Sequence, residues 1–150
     1  MPFEEKVTWV NLVVAVVVPA AYFVIVLGRL RDVSAADISY QWPLLIAIGA
    51  SVVLTVVGSI LAGIGTGISA ELRGKSASDE IDRKDERDKQ ISRHGDLVGF
   101  YVSSGGMVGV LALTMLEYDY FWIASALYLS FAVGTVVGSV VKLVAYRRGF

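Results

Sequence analysis

Four stretches of the chain, residues 7–27, 43–68, 97–116 and 121–141, contain no Asp, Glu, Lys, Arg or His, and polar segments separate them. Each is about 20 residues or longer, which at ~1.5 Å rise per residue crosses the ~30 Å hydrocarbon core of a bilayer as a helix. The many valines do not argue for strands. Inside lipid every backbone N–H and C=O needs an internal partner, and a helix supplies one within the segment itself. Residues 117–120 alone separate the third and fourth stretches, so those two helices must be antiparallel neighbours. The pattern predicts an all-α, antiparallel four-helix bundle in a membrane, a single domain over residues 1–150 with a loop at 69–96.

Small residues suggest how the helices meet. The fourth stretch places one at every fourth position, Ala126, Ser130, Gly134 and Gly138, a stripe that lets another backbone approach closely. The second has a comparable row at Ala50, Leu54, Gly58 and Ala62, and the third offers Gly99, Ser103 and the Ser104-Gly105-Gly106 cluster. Packing within one bundle and contact with a second copy both use such faces. Gly63-Ile64-Gly65-Thr66-Gly67 follows an apolar span rather than a strand and has no Gly-Lys-Ser/Thr ending, so it reads as a loosened helix end and not as a nucleotide loop. Pro19 removes a backbone donor and should kink the first helix. Asn11 is an amide inside a span, and its simplest partners are water, headgroups or a neighbouring helix.

Hydrophobic residues make up 55% of the chain, a share set by the four stretches rather than by a soluble core. The net charge of -1 gives no electrostatic case for nucleic acid, and the absence of cysteine excludes thiolate chemistry and cysteine metal sites. Charge placement is more informative than charge total. If all four stretches span, Lys6, seven Lys/Arg between Arg73 and Arg93, and Lys142, Arg147 and Arg148 share one side, against Arg29 and Arg31 on the other. That eleven-to-two split predicts that the termini and the long loop are cytoplasmic in the plasma (inner) membrane. Tyr40, Trp42, Tyr118, Tyr120 and Trp122 then fall at the outer interface, and Trp9, Tyr101 and Tyr146 near the inner one. The acidic start at Glu4 and Glu5 and the length of the first stretch predict a retained helix rather than a signal peptide.

The long loop carries the dense chemistry. Ser76 to Asp79 reads as a helix start, and opposite charges recur four apart at Asp79/Arg83, Glu80/Lys84, Lys84/Asp88 and Asp85/Lys89. Such pairs supply only about 0.2 to 0.5 kcal/mol each, too little for an isolated helix of this length. Continuity with the third span removes the nucleation cost, which predicts a cytoplasmic helical extension over about 79–94, passing through Gly95. Asp82, Asp85 and Asp88 could offer oxygens to a hard cation, but three-residue spacing rotates them round the helix and Arg83, Lys84 and Arg87 offset their charge. No metal or cofactor is therefore expected. Asp85, Glu86, Arg87, Asp88, Ile91 and His94 are the candidates for contact with a partner. The run D-E-R-x-x-x-I from Asp85 to Ile91, leading into an apolar helix, resembles the signature of small bacterial membrane proteins that share a domain of unknown function. The resemblance implies a four-helix inner-membrane protein and carries over no activity or site.

These features point to a non-enzymatic protein that self-associates or serves as an accessory subunit of a membrane complex. A small transporter or channel is the alternative, although ion-coupled transport usually leaves an ionisable group within the membrane and these spans have none. A membrane-interface enzyme would draw on Asp85, Asp88, His94 and Asp96, yet no nucleophile or second histidine accompanies them. The topology is directly testable in a chain without cysteine. Single cysteines introduced at Ser78 and Ser34 should react with impermeant maleimide from opposite sides of the membrane; reaction from the same side would end the four-span arrangement.

Overall fold

The computed structural model describes residues 3–72 and 86–148, which form four helices: α1 Phe3–Arg29, α2 Gln41–Leu72, α3 Glu86–Met115 and α4 Tyr120–Arg148. All four are long and apolar enough to cross a membrane, so the chain is an all-α membrane protein. Charges sit where the helix dipole favours them, with Glu4 and Glu5 opening α1, Glu86 and Asp88 opening α3, and Arg147 and Arg148 closing α4. α1 runs through Pro19 without a break. α2 likewise continues past Gly63 and Gly67 to Leu72, where a loosened end was expected; its backbone keeps the internal hydrogen bonds that an apolar medium demands. The third span has the expected extension from Glu86 through Gly95, while residues 79–85 lie outside the described part.

The principal contacts run α2 to α1, α1 to α4 and α4 to α3. α4 is the most enclosed helix and α2 the least, with 22% and 6% of their most apolar windows buried. Consecutive helices are antiparallel. The Tyr22 and Ser125 hydroxyls hydrogen-bond at 3.1 Å, and Arg147 lies 5.8 Å from the Trp9 ring, which together fix the register of α1 against α4. At the end of the bundle holding the two short loops, Tyr22, Val26, Ile38, Ala47 and Phe121 form a buried core. Tyr40 and Tyr128 pack edge-on against its rings, so Tyr40 belongs partly to this core rather than only to the membrane interface. Most other hydroxyls in the spans turn back on their own helices: Ser51 donates to the Ala47 carbonyl, Ser130 to Ala126 and Thr135 to Phe131. Such bonds satisfy the hydroxyl but do not tie helices together.

What ties α3 to α4 is backbone proximity. A Cβ added to Gly99 would lie 2.7 Å from the Gly134 carbonyl oxygen, and one on Gly134 would lie 2.7 Å from the Gly99 oxygen. Gly95 and Gly138 repeat the relation at 2.8 Å in both directions. Further along, Gly134 faces the Ser103 hydroxyl and Gly106 faces Ser130. Gly134, Gly138, Ser130, Gly99 and Ser103 thus share one seam. Gly58 of α2 faces Val10 of α1 instead, while Leu54 in the same row is 48% exposed. The seam is set by a tight turn: Glu117 adopts a positive φ of 55°, its N–H donates to the Thr114 carbonyl at 3.2 Å, and the Tyr118 N–H donates to Leu113 at 3.2 Å. This is the six-to-one, five-to-two closure usually made with glycine. The Asp119 carbonyl then accepts from Trp122 at 2.9 Å and starts α4.

Two substitutions test this geometry. Gly99→Ala puts its methyl against a backbone oxygen that cannot swing aside, and it should cost about 1 to 3 kcal/mol in thermal unfolding of the detergent-solubilised protein. Gly105→Ala, whose Cβ would meet nothing within 4 Å, should be neutral or mildly stabilising, and equal losses at the two positions would remove the seam as the source of stability. Glu117→Gly should raise stability by about 1 kcal/mol by relieving the left-handed conformation. A lower unfolding temperature there would show that the glutamate side chain contributes more than its backbone costs.

Candidate functional site

Three surfaces carry chemistry beyond packing. The first is the side of α3 turned away from α4. Gly105 and Gly109 stand four residues apart, both exposed, and a Cβ at either would meet nothing within 4 Å. Tyr101, Val108 and Leu111 are exposed beside them at 64%, 67% and 63%. The result is a shallow apolar depression that permits close backbone approach by another helix. The sequence shows Gly105 as one of a cluster with Gly106, and only the structure separates the two. Gly106 faces inward to Ser130, while Gly105 pairs outward with Gly109.

The second surface lies at the end holding both termini. Here the opening of α3 and the start of α1 enclose a polar cleft of about 460 Å³, lined among others by Glu4, Glu86, Asp88, Arg93 and Asp96. Glu86 pairs with Lys89 at 3.4 Å, with both side chains largely exposed. Such a pair contributes roughly 0 to 1 kcal/mol. Asp96 is held more firmly, accepting from Lys142 of α4 at 2.7 Å and from Ser92 at 3.2 Å. Of the candidate partner residues, Glu86 and Asp88 line this cleft and His94 is exposed on the same helix. Ile91 is different. At 1% exposure it is unavailable to a partner and packs into the bundle end, because it shares the inward face of α3 with Gly95 and Gly99. Asp85 lies outside the described residues, and only the backbone of Arg87 is described. Among the described residues, no three carboxylates or histidines converge on one point.

The third surface is a groove of about 430 Å³ between α1, α2 and α4, within the spans. Apolar residues such as Val14, Val52, Val56 and Phe131 form most of its wall, and no Asp, Glu, Lys, Arg or His lines it among the described residues. Asn11 and Tyr128 also line it, and the Asn11 Oδ1 and the Tyr128 hydroxyl are buried without a hydrogen-bond partner. Of the three partners expected for Asn11, a neighbouring helix supplies none to its Oδ1 among the described residues, and two of the hydroxyls across the groove, Ser51 and Thr135, donate to their own backbones. Neither Asn11 nor Tyr128 can be recognised as unpartnered from sequence, since that depends on what the opposing helices present.

The chain matches no protein-family model, and no curated protein or solved structure is similar enough to it to carry an inference, so the functional reading rests on these surfaces.

Proposed function

We propose that the protein is a non-enzymatic component of a bacterial inner membrane that acts by self-association or as an accessory subunit of a membrane complex, with both termini and the long loop in the cytoplasm. The observation that carries this reading is the outward Gly105–Gly109 pair. The seam between α3 and α4 already uses Gly95, Gly99, Gly134 and Gly138, and α3 has α4 as its principal neighbour. Its opposite face therefore combines small residues with exposure to lipid, where association depends on close van der Waals fit rather than on expulsion of water. The polar side chains of Glu86 and His94, both exposed, and of half-buried Asp88 at the cytoplasmic end of the same helix favour orientation and choice of partner over raw affinity. The D-E-R-x-x-x-I resemblance agrees with this setting. A small transporter or channel is the second reading, and the groove between α1, α2 and α4 is the feature that favours it.

The test replaces Gly105 and Gly109 together by Leu. Because both positions face open space, the bundle should fold with unchanged thermal stability while the fraction of associated protein, read by energy transfer between labelled copies in liposomes, falls at least tenfold. Gly49→Leu, on the exposed side of α2 where a Cβ also meets nothing within 4 Å, should leave association intact. Equal association in all three proteins would refute the α3 interface. If wild type is monomeric yet copurifies with another membrane protein in gentle detergent, and the double variant does not, the same face serves a heterologous complex.

A further inference from the structure

Asp96 stands where two cavities meet. One is the polar cleft of about 460 Å³ at the end holding both termini, which Arg93 also lines. The other is a slot of about 210 Å³ that follows α4 into the spans, lined by Phe100, Phe131, Ser139 and Lys142 and by Gly134 and Gly138, which have no side chains to fill it. Gly95 makes the junction possible. A Cβ there would lie 2.9 Å from the Lys142 Cε, so the glycine leaves a track along which the lysine stem reaches Asp96 at 2.7 Å. That pair does not exhaust the junction. The Asp96 side chain remains 68% exposed although it accepts from Lys142 and Ser92, and a carboxylate has about four lone-pair sites. Arg93 is exposed and makes no hydrogen bond or ion pair among the described residues. Residues three apart are neighbours on a helix, so a cation and an anion stand side by side in the cleft. Ser139, only 6% exposed, lines the slot, and its hydroxyl neither turns back on α4, as those of Ser130 and Thr135 do, nor bonds to another helix among the described residues. Unlike the Asn11 Oδ1, it is not sealed from the cavity it lines. The facing pairs Gly95–Gly138 and Gly99–Gly134 set Ser139 level with the Arg93 to Asp96 turn. Phe100 and Phe131 lie deeper, about 6 Å past Asp96 and about 12 Å past Ser139.

We propose that this junction binds a zwitterionic glycerophospholipid with a primary ammonium head, drawn from the leaflet at the end holding both termini. Its phosphate pairs with Arg93, its ammonium donates to Asp96, one ester carbonyl accepts from the Ser139 hydroxyl, and the attached chain lies along the slot past Phe100 and Phe131. The occupant carries both signs because Arg93 and Asp96 offer both within one helical turn. It is a lipid because charge, a free hydroxyl and aromatic rings follow one another into the spans in the order of head, ester and chain. The site does not use the Gly105–Gly109 face and stands or falls separately from self-association.

Native mass spectrometry of the full chain released from detergent reads lipid retention directly. The probes are dioleoyl phosphatidylethanolamine, phosphatidylcholine, whose quaternary ammonium has no N–H, and phosphatidylglycerol, which has no cation. From an equimolar mixture the first should be retained roughly fivefold over either of the others, the worth of one charge-assisted hydrogen bond. A diether phosphatidylethanolamine of the same chain length, which lacks both carbonyls, should be retained roughly fivefold less than the diester. In Asp96→Asn the headgroup preference should vanish. In Ser139→Ala the diester preference should vanish while the headgroup preference stays. Ser139→Ala removes an unbonded hydroxyl and should fold normally, so it decides the proposal alone if Asp96→Asn, which breaks the Lys142 pair, lowers the yield of folded protein. Equal retention of the three heads by wild type, equal retention of diester and diether, or a preference that its own variant keeps would overturn the site.

Discussion

Water does not press these helices together, because lipid is as apolar as their side chains, and the bundle depends on how closely two backbones can approach. At the α3–α4 seam the approach is close enough that Gly99 and Gly134, and again Gly95 and Gly138, each occupy the space a Cβ on the other helix would need. Dispersion between closely approaching peptide groups replaces the hydrophobic effect as the source of cohesion. The tight turn at Glu117 holds the two helices in that register, and the Lys142–Asp96 pair closes the seam at its other end. α1 attaches to α4 by different means: one cross-helix hydroxyl pair, an aromatic core near the short loops, and Arg147 against Trp9.

This division of labour leaves surface unspent. α1 and α4 occupy the middle of the array, so the outer sides of α2 and α3 face the bilayer. On α3 that side carries Gly105 and Gly109, a shape suited to another helix, whereas α2 presents mainly branched side chains such as Val53, Val57 and Ile60. The weaker attachment of α2 also opens the groove beside Asn11 and Pro19. One small fold thereby separates a rigid seam, a face available for association and a cavity, each on a different combination of helices.

Much of the fold was legible in the sequence because the constraint that sets it is local. Four charge-free stretches of sufficient length fix four helices, and the four-residue break at 117–120 leaves α3 and α4 no arrangement except an antiparallel one. Ser130, Gly134 and Gly138 could be recognised as a packing stripe from spacing alone, as could Gly99 and Ser103. The direction in which a given small residue points could not. Gly105 and Gly106 are adjacent and alike in sequence, and a rotation of one residue along α3 sends one to the membrane and the other to Ser130. Ile91 shows the same rotation: three residues past the D-E-R-D run it could meet a partner or the bundle end, and helical rotation puts it on the Gly95 and Gly99 side, at the bundle end. The unpartnered states of Asn11 and Tyr128 depend on three helices at once, which no spacing rule contains.

The close approach of α3 and α4 can be measured without perturbing it. In the folded protein, with isotope-labelled glycine in nanodiscs, a Cβ on Gly99 would lie 3.4 Å from the Cα of Gly138, so the α-protons of these two glycines should give a strong interhelical nuclear Overhauser effect. A cross-peak of that strength is the expected result. Its absence in a sample that retains the Tyr22 to Tyr128 ring contact would mean that α3 stands away from α4 and that something other than glycine-mediated backbone contact holds the bundle together.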